Sequence, residues 1–294
     1  MKEESSYSGL AIDPSTWTLL RLHFSFFLMP VYWFALTQVV RINWPKAILI
    51  FFILHVLIYP SSNGYNSYMD KDESSIGGLK NPPKPTRELF HISVVMDFLA
   101  IMLGLLVSPY FAAGALGYIL ASRSYSYRGI RLKKYPIPGY LTVVIFQGAI
   151  CFWLVYHGAS QGQTLRAPLI GMLASSLLVA GFYPLTQIYQ HEEDLKDGVK
   201  SLSALLGIRG TFLFSMIVYL AAFLVLAYNF MSVLEEKEFF ILATCMLPIV
   251  VYFLTWAKRS WKDAHAANFE NTMKMNIIAS CCTNLGFIVV LLMK

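Results

Sequence analysis

Charge is scarce in this sequence. Asp, Glu, Lys and Arg together make up 14% of it, against roughly a quarter in a typical soluble domain, and so low a share excludes an ordinary water-facing globular surface. Cysteine is sparse too. Cys151, Cys245, Cys281 and Cys282 all sit in apolar stretches without zinc-ligand spacing, so they read as small packing residues. The opening segment, MKEESSYSGLAIDPSTW, sets Glu3, Glu4 and Asp13 against Lys2 alone. A cleaved signal peptide has a basic start and a short apolar core, so none is expected. Asp13-Pro14 reads instead as a cap and first-turn proline that start a helix near Ser15. No low-complexity linker divides the chain, and a single domain over residues 1–294 is expected, with 1–15 as an N-terminal tail.

Long apolar runs are what the sequence has in abundance. Hydrophobic residues make up 56% and the mean hydropathy is +0.55. Crossing ~30 Å of hydrocarbon takes about 20 such residues. About nine runs are candidates, near 16–38, 46–66, 89–107, 109–122, 139–157, 167–189, 208–231, 238–257 and 272–293. The fourth is short and follows Pro109. The expected fold is all-α and membrane-embedded, with multiple passes. With the N-terminus inside, 18 of the 23 Lys and Arg residues fall on inner segments. That bias predicts a cytoplasmic N-terminus and an outer C-terminus. The net charge of +6 then reflects topology rather than a nucleic-acid partner.

Two twelve-residue segments match in register: YPSSNGYNSYMD at 59–70 and YPLTQIYQHEED at 183–194. The shared pattern is Y-P-x-x-[N/Q]-x-Y-[N/Q]-x-x-x-D. Each copy ends a predicted span, the second and the sixth, which suggests two related four-helix bundles plus one further span. Residues 59, 63, 66 and 70 are spaced four, three and four apart, and so are 183, 187, 190 and 194, which predicts one helix face for each set. Each face then carries a tyrosine, two carboxamides and a carboxylate. Pro60 and Pro184 are expected to loosen their helices and free backbone carbonyls.

Facing stripes would gather oxygen ligands: Asp70, Asp194, Asn66 and Gln190, with Asp72, Glu73, Glu193 and Asp197 nearby. Oxygen-only ligation suits Mg2+, which borrows further ligands from substrate phosphates. Solvation of helix ends is the plainer reading of one acidic terminus, and the matched second copy argues against it. Cations lie on the same side. Lys80, Lys84 and Arg87 are in GLKNPPKPTRE, and Arg128, Arg131, Lys133 and Lys134 are in SYSYRGIRLKKYPIPG. Inner loops are basic in any case, so these clusters gain weight only from the carboxylates beside them.

Taken together, these residues resemble the UbiA-type intramembrane prenyltransferases, a family with nine transmembrane helices and two aspartate-rich motifs after helices two and six. Asn66 and Asp70 fit the first motif, N-D-x-x-D-x-x-x-D, with Ser67 and Ser74 in place of its other aspartates. Asp194, Gly198 and Leu202 fit the second, D-x-x-x-D-x-x-x-G-x-x-T-L, with Gln190 for the leading aspartate and Ser201 for the threonine. The stretch SYSYRGIRLKKYP is similar to the family's basic loop, which implies Arg131 and Lys133 as diphosphate ligands. Asn81, Lys84 and Pro85 are similar to its N-x-x-R-P element.

The resemblance implies Mg2+-dependent transfer of a prenyl group from an isoprenoid diphosphate donor to a small aromatic or lipid-soluble acceptor. Asp70 and Asp194 would be the catalytic metal ligands, joined by Asn66, Asp72, Glu193 and Asp197. Lys84, Arg87, Arg131, Lys133, Asn66 and Gln190 would hold the diphosphate, and Tyr65, Tyr68, Tyr125 and Tyr189 would face the carbocation. A terpene cyclase working on the same donor is a second reading. The third is a transporter, with Asp97, His55 and Asn276 as an intramembrane relay.

Overall fold

In the computed structural model, residues 12–233 and 235–294 are described; most of the expected N-terminal tail lies outside them. Among the described residues every named element is helical. The chain runs through α1 (Pro14–Thr37), α2 (Trp44–Asp70), α3 (Arg87–Val107) and α4 (Pro109–Ser126). It continues through α5 (Pro136–Ala159), α6 (Leu169–Thr186) and the short α7 (His191–Lys196). It ends with α8 (Leu202–Met231), α9 (Glu236–Lys262) and α10 (Phe269–Leu292).

Eight of these stretches are long and apolar enough to cross a membrane. The fold is thus an all-helical, multi-pass membrane fold. The count of nine does not stand on the same footing, because α4, though 18 residues long, ends in the polar ASRSYS.

Helix starts follow the sequence signals. The Asp13 side chain accepts from the Ser15 N–H at 2.7 Å with Pro14 in the first turn. Ser108 Oγ accepts from the Phe111 N–H at 2.9 Å ahead of α4. These bonds satisfy donors that a helix N-terminus otherwise leaves free. In α8 the torsions of Gly207, φ 68° and ψ 173°, are non-helical and suit glycine alone. The long pass therefore starts after it, where the apolar run from 208 places it.

Both prolines of the repeat disturb the backbone, in different ways. A wide, π-helical segment, Ile53–Ile58, precedes Pro60, and the helix then continues unbroken to Asp70. Pro184 lacks the N–H that would bond the Ala180 carbonyl, and the Tyr140 hydroxyl donates to that carbonyl instead, at 3.2 Å. Two residues beyond Pro184, α6 ends at Thr186, and α7 begins only at His191. The expectation that 183, 187, 190 and 194 share one helix face is therefore corrected: the second stripe spans a helix end, a turn and a short helix.

Small residues bring helices close, as packing without a hydrophobic driving force requires. A Cβ on Gly148 would lie 2.5 Å from the Ser176 Cα, so α5 and α6 meet backbone to backbone. At the end away from the repeat, Phe34 stacks on Phe287 at 4.9 Å and packs against Phe152 at 5.4 Å. Nearer the repeat, a buried ion pair joins α3 to α4. Arg123 Nε donates to Asp97 Oδ2 at 2.9 Å, and its Nη2 reaches Ser61 Oγ of α2 at 3.2 Å. The guanidinium lies 4.1 Å over the Tyr65 ring, so one cation ties three helices together.

Candidate active site

The end of α2, the α6–α7 turn and the loop after α4 converge on a cavity of about 750 Å³. Its mouth is polar and its depth largely apolar. From the first stripe Asn63, Asn66 and Asp70 line it, and from the second Tyr183, Gln187, Gln190 and Asp194 do. Asp72, just past the αL residue Lys71 that ends α2, also lines it. Tyr59 does not: it is buried, with its hydroxyl 3.1 Å from Cys151 Sγ. Hydrogen bonds hold each copy in place. Asn66 Nδ2 donates to Asp70 Oδ2 at 2.7 Å and to Ser126 Oγ at 3.0 Å. Gln190 Nε2 donates to the Ser75 carbonyl at 3.1 Å, tying the second stripe to the loop after the first. Tyr125 and Tyr183 share a short hydroxyl–hydroxyl contact in the wall.

The basic loop closes over these carboxylates. Lys133 Nζ sits 2.5 Å from Asp70 Oδ2 and Arg131 Nη2 lies 3.6 Å from Asp70 Oδ1. Arg131 also pairs with Asp197, and Arg128 Nη1 lies 3.5 Å from Asp197 Oδ1. Asp72 and Asp194 fare differently, because among the described residues neither has an ion-pair partner. Burial, then the negative charge of neighbouring carboxylates, pushes both up to about 6. Such carboxylates favour a bound cation, because a cation removes the cost of holding their charge away from water.

That is the fit to Mg2+. Among the described residues no three His, Cys, Asp or Glu side chains form a ready-made metal cage. The arrangement instead suits a hard cation that takes part of its coordination from water and phosphate. Asp70, Asp72 and Asp194, with the carboxamides of Asn66 and Gln190, would hold it.

Several expected positions fall elsewhere. Glu193 pairs with Lys196 at 3.5 Å, and Asp197 is engaged by Arg128 and Arg131; neither lines the cavity. Lys84 and Arg87 are exposed and also lie off it, since the proline-rich segment carries them outward. Lys80 pairs with Glu270 at 2.5 Å. Tyr65 and Tyr68 point toward Phe90 of α3, with ring centroids 6.0 and 5.2 Å away, because they lie on the α2 face turned from the stripe. Tyr189 packs edge-on against Phe269 at 5.4 Å. Of the four tyrosines expected at the carbocation, only Tyr125 lines the cavity.

The relay reading loses its geometry too. Asp97 is paired with Arg123, His55 Nδ1 lies 3.2 Å from the Ser25 carbonyl, and none of Asp97, His55 and Asn276 lines the cavity.

Other lining residues were not singled out by sequence. Arg21 is nearly buried in α1 and donates to the Gly77 and Asn63 carbonyls at 3.0 and 3.2 Å. A lone arginine inside an apolar run was its signal. Tyr118, Ser122 and Ser126 of α4 and Tyr219 of α8 also line the cavity. Nothing in the local sequence distinguishes Tyr219.

The fold and site define a helical membrane protein with an acidic and basic mouth over an apolar chamber. The model of the UbiA prenyltransferase family matches residues 27–278, and the chain belongs to that family. Solved structures share its fold. A UbiA homolog from Archaeoglobus fulgidus bound to DMAPP and Mg2+ superposes with a TM-score of 0.68 at 20% identity, covering 94% of this chain and 99% of that one. The apo UbiA homolog from Aeropyrum pernix K1 gives 0.67 at 20% identity, covering 91% and 97%. A digeranylgeranylglyceryl phosphate synthase gives 0.60 at 18%, covering 95% and 96%. No curated protein sequence matches the chain.

Proposed function

We propose that this protein transfers a prenyl group from an isoprenoid diphosphate to an aromatic acceptor inside the membrane, with Mg2+ held at the mouth of the cavity. The observation that carries the reading is the meeting of Asp70, Asp72, Asp194 and Lys133 at the polar end of one apolar chamber, in a chain of this family. Magnesium, when bound, neutralises the charge that builds on the leaving diphosphate. Lys133, which lines the cavity at Asp70, would hold the diphosphate, and Arg131, off the cavity wall between Asp70 and Asp197, would position that carboxylate. Asn66 holds Asp70, Gln190 ties the second stripe to the loop after the first, and both would offer neutral oxygen ligands. Tyr118, Tyr125 and Tyr183 line the chamber, and aromatic faces favour an allylic cation over bulk water. The bias of Lys and Arg supports a cytoplasmic side for this mouth and for the N-terminus.

The test is a panel of prenyl diphosphates with Mg2+, with and without aromatic acceptors, and products identified by mass spectrometry. A prenylated acceptor supports the reading. Steady release of pyrophosphate and a cyclised hydrocarbon without any acceptor would replace it with a cyclase.

A further inference from the structure

One buried ion pair has no part in the chemistry above. Asp97 lies midway along α3 and Arg123 in the last turn of α4, and both are largely buried. Neither lines the cavity. Ionisable side chains inside membrane helices are costly and are seldom kept without a function. A buried ion pair is also a poor source of stability, because taking both charges out of water often costs more than their attraction returns. Stability alone is therefore a weak reason for this one.

The geometry supplies a better reason. Arg123 uses all three guanidinium nitrogens. Nε and Nη2 donate to Asp97 Oδ2, Nη1 donates to the Ser61 carbonyl at 3.3 Å, and Nη2 also reaches Ser61 Oγ at 3.2 Å. Ser61 Oγ in turn donates to Asp97 Oδ1. The planar fork covers the ring of Tyr65, one turn further along α2. So many directional bonds at one point fix both the rotation and the depth of α4 against α2. Nearly a turn further along α4, Ser126 Oγ accepts from Asn66 Nδ2 at 3.0 Å, and Asn66 holds Asp70. Past the helix end, Arg128 Nε donates to the Met69 carbonyl at 2.8 Å, and Lys133 reaches Asp70. These contacts between α4, its loop and the first carboxylate all lie beyond the Arg123 anchor.

We propose that Arg123, with Asp97 as its counter-ion, is a positioning residue for the reaction. Its fork sets α4 against α2, so that Ser126 meets Asn66 and the basic loop arrives at Asp70. This rests on the prenyl-transfer reading and adds to it a residue that never touches the substrate.

The experiment uses full-length protein in lipid nanodiscs, with Mg2+ and inorganic pyrophosphate as the probe. Pyrophosphate affinity is read by calorimetry and folding by thermal unfolding. Asp97→Leu combined with Arg123→Met replaces both charges with apolar side chains of similar size. The melting temperature should stay unchanged or rise, while pyrophosphate binding weakens at least about tenfold. Ser126→Ala, which leaves the ion pair intact, should weaken binding about threefold. It should add nothing to the loss in the doubly apolar protein, because both act through the same contact. If that protein does not fold, Arg123→Lys takes its place. A lysine keeps the charge beside Asp97 without the fork to Ser61, and about a threefold loss at an unchanged melting temperature is expected. Wild-type affinity in the substituted proteins, losses that add, or a loss that follows a lowered melting temperature would overturn the positioning role. Failure of the wild-type protein to bind pyrophosphate with Mg2+ would overturn the prenyl-transfer reading beneath it, which separates the two.

Discussion

The two copies of the repeat share six of their twelve positions in kind and fold differently. The first stays helical through Asp70, and its carboxylate is held by Lys133 and Arg131. The second breaks after Thr186, and Asp194 rests in a short helix, with no ion-pair partner among the described residues. Matching residues thus sit in unlike electrostatic surroundings: one acid anchors the basic loop, while the other is largely buried with no cationic partner within ion-pair distance among the described residues. A pattern fixes which residues come together, and the local backbone decides what each one meets.

The largest expected effect tests that division directly. Asp70→Asn and Asp194→Asn should each lower turnover about a thousandfold, measured as product formed from a prenyl diphosphate with Mg2+. They should part in stability. Without Mg2+ at neutral pH, Asp194→Asn should raise the melting temperature by a few degrees, because it removes an uncompensated buried charge, whereas Asp70→Asn should lower it by stranding Lys133. Equal shifts in both variants would erase the contrast between the copies.

Pro184→Ala gives the next largest effect. Restoring the N–H frees α6 to straighten at Ala180 and shifts Asp194, which should cost about a hundredfold in turnover. Retained activity would mean that the break has no part in placing the acid.

The pH response follows from the raised carboxyls. Asp72 and Asp194 titrate near 6 in the fold, against about 3.9 in an unfolded chain. The folded state binds their protons more readily, so the metal-free protein is most stable below the unfolded value and loses that contribution as pH rises through 6. Metal binding runs the other way, since it needs the ionised acids. Magnesium affinity should fall at least about tenfold per pH unit below 6, read by calorimetry.

Tyr140→Phe is the smallest test. Losing the hydroxyl that meets the Ala180 carbonyl should cost about 1 kcal/mol, seen in thermal unfolding. A much larger loss would mean that the freed Ala180 carbonyl finds no other partner.

The sequence was most legible where period and chemistry agreed. Asn66, Asp70, Gln190 and Asp194 reach one cavity, and the apolar run from 208 begins where Gly207 breaks the backbone. The turn at 187–190 was hidden, because the bond that compensates Pro184 comes from Tyr140 on another helix. Lys84 and Arg87 carried the right charge, but charge says nothing about which way a stiff proline segment faces. Tyr65 shows the same limit: its ring is taken up by Arg123, whose partner Asp97 belongs to a third helix. Such pairings join distant residues, and local spacing does not encode them.

One flank of the chamber is made of residues that also face outward. Leu220 of α8 and Leu247 of α9 line the cavity and are 60% and 59% exposed. A container with an open side makes a poor ruler: a hydrocarbon chain inside it need not end at a wall, because surplus length can spill into surrounding lipid at little cost. Such a vessel would select at its polar mouth, where the polar atoms are fixed, and would set no fixed limit on the length of an apolar tail.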